Sequence, residues 1–243
     1  QFWAKLAVGN ATLKKTSSNA SITDGNGLYS IAGATYGVYS DKGCTKSVAI
    51  LTTNANGNTD TVELRAATYY VKETKAPKGF QLDKNVYTMT VKVNETTTLK
   101  VSDKPKVTDT LVELFKIDME ISKATPQGNA SLEGAEFVWK YYDGYYTKDN
   151  LPSEPTRTWT TKTIAEKDSN NEVHYITRLA DSYKVLGDSF YTQNGTICLP
   201  LGTITVEEKT APNGYLLEGA YMQATGSSEQ IKGLYVAQIT EDG

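Results

Sequence analysis

The chain has 243 residues and a formal charge of -3, with acidic and basic side chains interspersed. That length exceeds one small domain and predicts two, each with its own core. No dense basic stripe is available to neutralise a run of phosphates, which argues against a nucleic-acid partner, and no apolar run reaches the length of a bilayer, so membrane insertion is not expected of this segment.

Threonine, tyrosine and valine recur along the chain, while Ala, Leu, Glu and Lys at helical spacing are scarce, which predicts an all-β protein with little helix. The amino end, Gln1-Phe2-Trp3-Ala4-Lys5, lacks the basic and apolar regions of a signal peptide. Leu13-Lys14-Lys15 belongs to a first strand, and Ile31-Ala32-Gly33-Ala34-Thr35-Tyr36 leads into the next. A turn at Asn56-Gly57-Asn58 precedes Tyr70-Val71-Lys72-Glu73-Thr74-Lys75-Ala76-Pro77-Lys78-Gly79-Phe80, and Leu99 to Asp103 forms a last strand. The polar, proline-containing stretch Asp103-Lys104-Pro105-Lys106-Val107-Thr108-Asp109 then reads as a join between domains.

Beyond the join the pattern repeats. Leu114-Phe115-Lys116 and Leu132-Glu133-Gly134-Ala135-Glu136-Phe137 echo the first two landmarks at one offset, since 116 - 15 and 134 - 33 both give 101. Thr205-Val206-Glu207-Glu208-Lys209-Thr210-Ala211-Pro212-Asn213-Gly214-Tyr215 echoes the third at 208 - 73 = 135, so the second copy carries 135 - 101 = 34 extra residues between landmarks. Self-similarity of this kind predicts two homologous units, residues 1–105 and 106–243. The extra stretch, about 140–195, is aromatic-rich and includes Tyr141, Tyr142, Tyr145, Tyr146, Trp159 and Tyr175. Turns such as Asp143-Gly144 and Asn194-Gly195 between short apolar runs predict antiparallel sandwiches.

Strand alternation places every second side chain on one face. Leu13 with Lys15, Val71 with Glu73, and Leu99 and Val101 with Asp103 share inward phases, whereas Lys14, Lys72 and Lys100 point away. One amine and two carboxyls are therefore aimed at the first core. In the second unit Val112, Leu114 and Lys116 align, as do Ile204, Val206 and Glu208. Applying the 135 offset to Asp103 reaches Gln238, which cannot serve as an acid, and Asp242, the nearest carboxylate, lies in a polar turn-like end. The last strand of this unit, with its acceptor, is expected beyond residue 243.

A first-strand Lys, a G-A-x-[FY] strand and a V-x-E-x-x-A-P-x-G-[FY] box, met twice, resemble the B-type domains of collagen adhesins and of SpaA-like pilin subunits from Gram-positive bacteria. The resemblance implies two tandem immunoglobulin-like antiparallel β-sandwiches. It also implies an isopeptide bond joining the first-strand Lys to an Asp or Asn of the last strand, assisted by the boxed Glu. Carried onto this sequence, these are Lys15, Asp103 and Glu73 in the first unit, and Lys116 with Glu208 in the second. Burial favours the neutral forms of an amine and a carboxyl, so the amine becomes a nucleophile and folding supplies the alignment without a cofactor.

The implied function is a stalk or pilus-shaft segment, extracellular and anchored to a cell wall or secreted, with neighbouring domains or pilin subunits as partners. The alternative is an adhesin whose aromatic insertion binds a host matrix protein or glycan. A turnover enzyme is disfavoured: His174 is the only histidine, with no G-x-S-x-G elbow beside it, and Cys44 and Cys198 fall in different units without C-x-x-C neighbours. No metal site is expected.

Overall fold

The structure, a computed structural model, describes residues 1–119, 126–128 and 130–242. The chain divides into two units, Gln1–Lys106 and Val107–Gly243. The first unit runs β1 (Val8–Ser17), α1 (Ala20–Thr23), β2 (Thr35–Tyr39), β3 (Ser47–Thr52), β4 (Val62–Arg65), β5 (Ala67–Lys75), β6 (Val86–Val91) and β7 (Thr96–Asp103). Four residues of α-helix in this unit agree with a composition that favours strands.

Two sheets form, ordered β4-β1-β7 and β3-β2-β5-β6. Period-two alternation turns Ala11, Leu13 and Val101 of the first sheet toward Tyr36, Val38, Val71, Met89 and Val91 of the second, and these residues make one buried core. The neighbours of β1 differ in direction. β4 runs antiparallel to it, as expected, but β7 runs parallel, with Lys15 opposite Val101 and Ser17 opposite Asp103. The purely antiparallel expectation is corrected there: β6 lies in the other sheet, so β7 reaches β1 by crossing over the core and not by a hairpin.

The second unit contains β8 (Val107–Thr108), β9 (Leu114–Phe115), β10 (Glu136–Tyr142), β11 (Arg157–Lys162), β12 (Ile164–Lys167), β13 (Val173–Thr177), β14 (Lys184–Gly187), β15 (Tyr191–Gln193), β16 (Thr196–Pro200), β17 (Gly202–Thr210) and β18 (Tyr235–Ile239). Its principal sheet, β14-β11-β10-β17-β18, contains the order β11-β10-β17-β18, which matches β3-β2-β5-β6. β9 pairs antiparallel with β13, as β1 does with β4. Among the described residues no strand pairs with β9 in the way β7 pairs with β1.

The registers make the equivalence of β18 quantitative. Ala67 faces Val91 and Gly202 faces Ile239, so β5 maps onto β17 at 202 - 67 = 135, but β6 maps onto β18 at 239 - 91 = 148. Gln238 is therefore the counterpart of Thr90 and not of Asp103, and both are exposed on the outer face. A longer connection between β17 and β18 adds the difference, 148 - 135 = 13 residues.

Candidate functional site

The first site is built on three strands that present alternate side chains inward. Lys15 from β1, Glu73 from β5 and Asp103 from β7 are each buried, and the Lys15 side chain has no solvent access at all. Its Nζ lies 2.6 Å from Asp103 Oδ1 and 3.1 Å from Glu73 Oε1. The parallel register puts Asp103 two residues further along than the residue opposite Lys15, a diagonal that the long lysine stem spans. Glu73 is anchored on its other oxygen, Oε2, which accepts the backbone N–H of Asp83 at 2.7 Å.

Two further observations define the chemistry. The contact from Lys15 to Asp103 is close but not aligned as a hydrogen bond, and neither carboxyl oxygen of Asp103 has a hydrogen-bond partner. The amine nitrogen thus lies against the acid without being held at a lone pair. Burial pushes the Asp103 carboxyl up to about 7, a rise opposed by Lys15 and reinforced by Glu73, so near neutral pH a large share of it carries its proton. A protonated carboxyl can lose its oxygen as water, whereas a carboxylate resists attack.

Sequence reasoning did not assign a site role to Tyr36. Fully buried on β2 and paired with Glu73 across β2 and β5, it accepts a hydrogen bond from Lys15 Nζ at 2.6 Å. Burial, Asp103 and Glu73 raise its hydroxyl pKa, so the phenol stays protonated. The motif position admits Phe or Tyr, and only the difference between Tyr36 and Phe137 hints that the hydroxyl matters.

The surrounding turns hold the trio in place. Gly57, in the turn after β3, is left-handed, and its carbonyl accepts the Lys15 N–H at 2.7 Å. A Cβ there would stand 2.1 Å from the Lys15 carbonyl oxygen. The A-P-x-G box makes a turn in which Phe80 N–H bonds Pro77 O and Gly79 is left-handed. Past it, Gln81 N–H bonds Lys104 O and Lys106 N–H bonds Gly79 O, tying the exit of β5 to the chain just after Asp103.

The second unit brings together only part of this arrangement. Lys116 Nζ contacts Glu208 Oε2 at 2.7 Å, but their side chains are 17% and 13% exposed, against 0% for Lys15 and Glu73. Glu208 Oε1 is buried without a hydrogen-bond partner. Phe137 faces Glu208 where Tyr36 faces Glu73. Gln238 donates instead to the Tyr146 carbonyl, and among the described residues the Lys116 ion pair is with Glu208 alone. Val112, expected to point inward, is 57% exposed, because β9 is paired only at Leu114 and Phe115. An apolar cleft of about 190 Å³ opens beside it, lined in part by Trp139, Ile204, Ala237 and Ile239.

The aromatic stretch is mixed: Tyr145 is 39% exposed, and Tyr146 and Tyr175 are half-buried. Tyr141, Tyr142, Trp159, Tyr183 and Tyr191 are buried, and Tyr141 and Trp159 both pack edge-on against Tyr191. Burial also pushes the Cys198 thiol up to about 11, which makes it inert, and Cys44 is likewise unpaired. His174 bonds Asp168 at 2.9 Å. With Glu172 these two make the only cluster of potential metal donors among the described residues. Asp168 there closes the hairpin turn by accepting the N–H groups of Asn170 and Glu172.

Residues 9–105 match the family model for SpaA, described as a prealbumin-like fold domain. That match lies within the first unit. Over 88 residues the chain is 39% identical to the trypsin-resistant surface T6 protein of Streptococcus pyogenes serotype M6, a match covering 32% of this chain and 16% of that relative. Among solved structures it is similar to the Bacillus anthracis TIE protein, with TM-score 0.52 and 21% identity, covering 97% of this chain and 32% of that one. It is also similar to BcpA, the major pilin subunit of Bacillus cereus, with TM-score 0.33 and 15% identity over 97% of this chain and 96% of that one. The SpaA model match and the TIE likeness agree with an all-β fold. The chain spans about a sixth of the streptococcal relative and a third of the TIE protein.

Proposed function

We propose that the chain is a structural stalk or pilus-shaft segment of a Gram-positive surface protein whose first unit closes itself with a Lys15–Asp103 isopeptide bond. The observation that carries this reading is a fully buried lysine nitrogen 2.6 Å from the oxygen of a buried acid, with Glu73 touching the same nitrogen. The Lys15 ammonium gives one proton to the facing Asp103 carboxylate, and the freed lone pair attacks Cγ of the resulting acid. A C–N bond forms and a C–O bond breaks. The second amine proton leaves through Glu73 with the departing hydroxyl, so one water is released and Glu73 is regenerated. The reaction happens once per domain, and folding provides the alignment.

The link ties the first strand of the unit to its last. Under the chain-entropy view of cross-links it stabilises by about 3 to 5 kcal/mol, and it is indifferent to reductants. Resistance to a protease is what such a closure produces, in keeping with the name of the T6 relative. The second unit is read as a second B-type domain whose Lys116 and Glu208 are unbonded. Burial of Tyr141, Tyr142, Trp159, Tyr183 and Tyr191 weighs against the adhesin alternative, which is left with the exposed Tyr145 and its half-buried neighbours. Intact mass of the wild-type chain should fall one water below the sequence mass, and Glu73→Ala should restore the full mass. A wild-type mass equal to the sequence mass would refute the bond.

A further inference from the structure

We infer that the Tyr36 hydroxyl positions the Lys15 amine for condensation, holding one of its N–H bonds so that the nitrogen lone pair faces Asp103. The inference rests on the reading that Lys15 and Asp103 join, and adds a residue that the family motif leaves open between Tyr and Phe.

The geometry is that of a tripod around one nitrogen. Lys15 Nζ donates to Tyr36 Oη at 2.6 Å and to Glu73 Oε1 at 3.1 Å, and its third close neighbour is Asp103 Oδ1, which it approaches without hydrogen-bond alignment. An ammonium that loses one proton keeps two N–H bonds and gains one lone pair. With the two N–H bonds directed at Tyr36 and Glu73, the lone pair is left for the carboxyl. Tyr36 and Glu73 are paired across the β2–β5 ladder, so a single register fixes both acceptors relative to each other. The ring of Tyr36 also lies beside the amine, 5.1 Å from its centroid.

The second unit supplies an internal comparison. There the same ladder position is Phe137, facing Glu208, and among the described residues Lys116 Nζ hydrogen-bonds Glu208 and no hydroxyl. Phenylalanine therefore fits this backbone position, and Tyr36→Phe keeps the ring while removing only the oxygen.

Full-length chain made by pulsed cell-free synthesis, followed by intact mass across a pH series, gives the rate of water loss. Tyr36→Phe should slow it by about tenfold or more. Replacing Tyr36 with 3-fluorotyrosine, a weaker acceptor of the same shape, should give an intermediate rate, and this decides the matter if Tyr36→Phe fails to fold. Rates equal to wild type in both variants would overturn the inference while leaving the bond itself in place. A wild-type chain that never loses water would overturn the underlying reading and this inference with it.

Discussion

A lysine without solvent access needs its charge answered at close range, and Glu73 and Asp103 do this for Lys15 within 3.1 and 2.6 Å. Leaving such a trio unreacted is costly, since buried charges lose hydration that a few contacts replace only in part. The proposed condensation would remove two of the three ionisable groups. Asp103→Asn offers a direct check on the leaving group: the product should be lighter by one ammonia, with the same amide formed, in high-resolution intact mass. The acid also predicts a pH effect in unreacted chain. Its folded value of about 7 lies above the ordinary 3.8, so between these values the folded state binds a proton that the unfolded state has released. Stability from Asp103 is thus fully present below about pH 4 and lost as pH rises toward 7. Thermal melts of uncrosslinked Glu73→Gln should show this fall, while the crosslinked wild type, with no Asp103 acid left to titrate, should lack it. Period two alone put Lys15, Glu73 and Asp103 on inward phases, because each sits in a strand with apolar neighbours two residues away. Tyr36 escaped that reasoning because a tyrosine on an apolar face looks like ordinary core.

At the scale of elements, the site depends on β7 lying parallel to β1, a pairing that sequence alternation does not reveal because it is blind to strand direction. The A-P-x-G box, conspicuous in the sequence as a repeat, turns out to make a left-handed turn that joins the end of β5 to the end of β7. Gly57 has a similar structural duty beside Lys15. Gly57→Ala forces a Cβ against the Lys15 carbonyl at a left-handed position and should destabilise the first unit by about 1 to 3 kcal/mol, read from urea denaturation of the uncrosslinked chain. The 135 offset failed after β17 because the connection to β18 is 13 residues longer than its counterpart, a length that only the strand register exposes. With Gln238 thereby matched to Thr90, Lys116 lacks an acid acceptor among the described residues. The whole chain should lose one water and not two, and a loss of two would contradict the assignment of the second unit.

For the molecule as a whole, a composition rich in threonine, tyrosine and valine pointed to strands, and among the described residues every regular element except the four-residue α1 is a strand. Tyr141, Tyr142, Trp159, Tyr183 and Tyr191 fill the interior of the second unit, which the sequence could not distinguish from a binding surface because burial depends on strands added far along the chain. In the first unit, force applied through β1 and β7 would run across the proposed Lys15–Asp103 amide and spare the core. The unit should then resist trypsin and mechanical extension, and Glu73→Ala should lose both properties under otherwise equal conditions. The most direct measurement is tandem mass spectrometry of a protease digest of the wild-type chain. A single branched peptide joining the Lys15 and Asp103 segments, lighter by one water than their sum, is the predicted result. Recovery of the two segments only as separate linear peptides of full mass would contradict it.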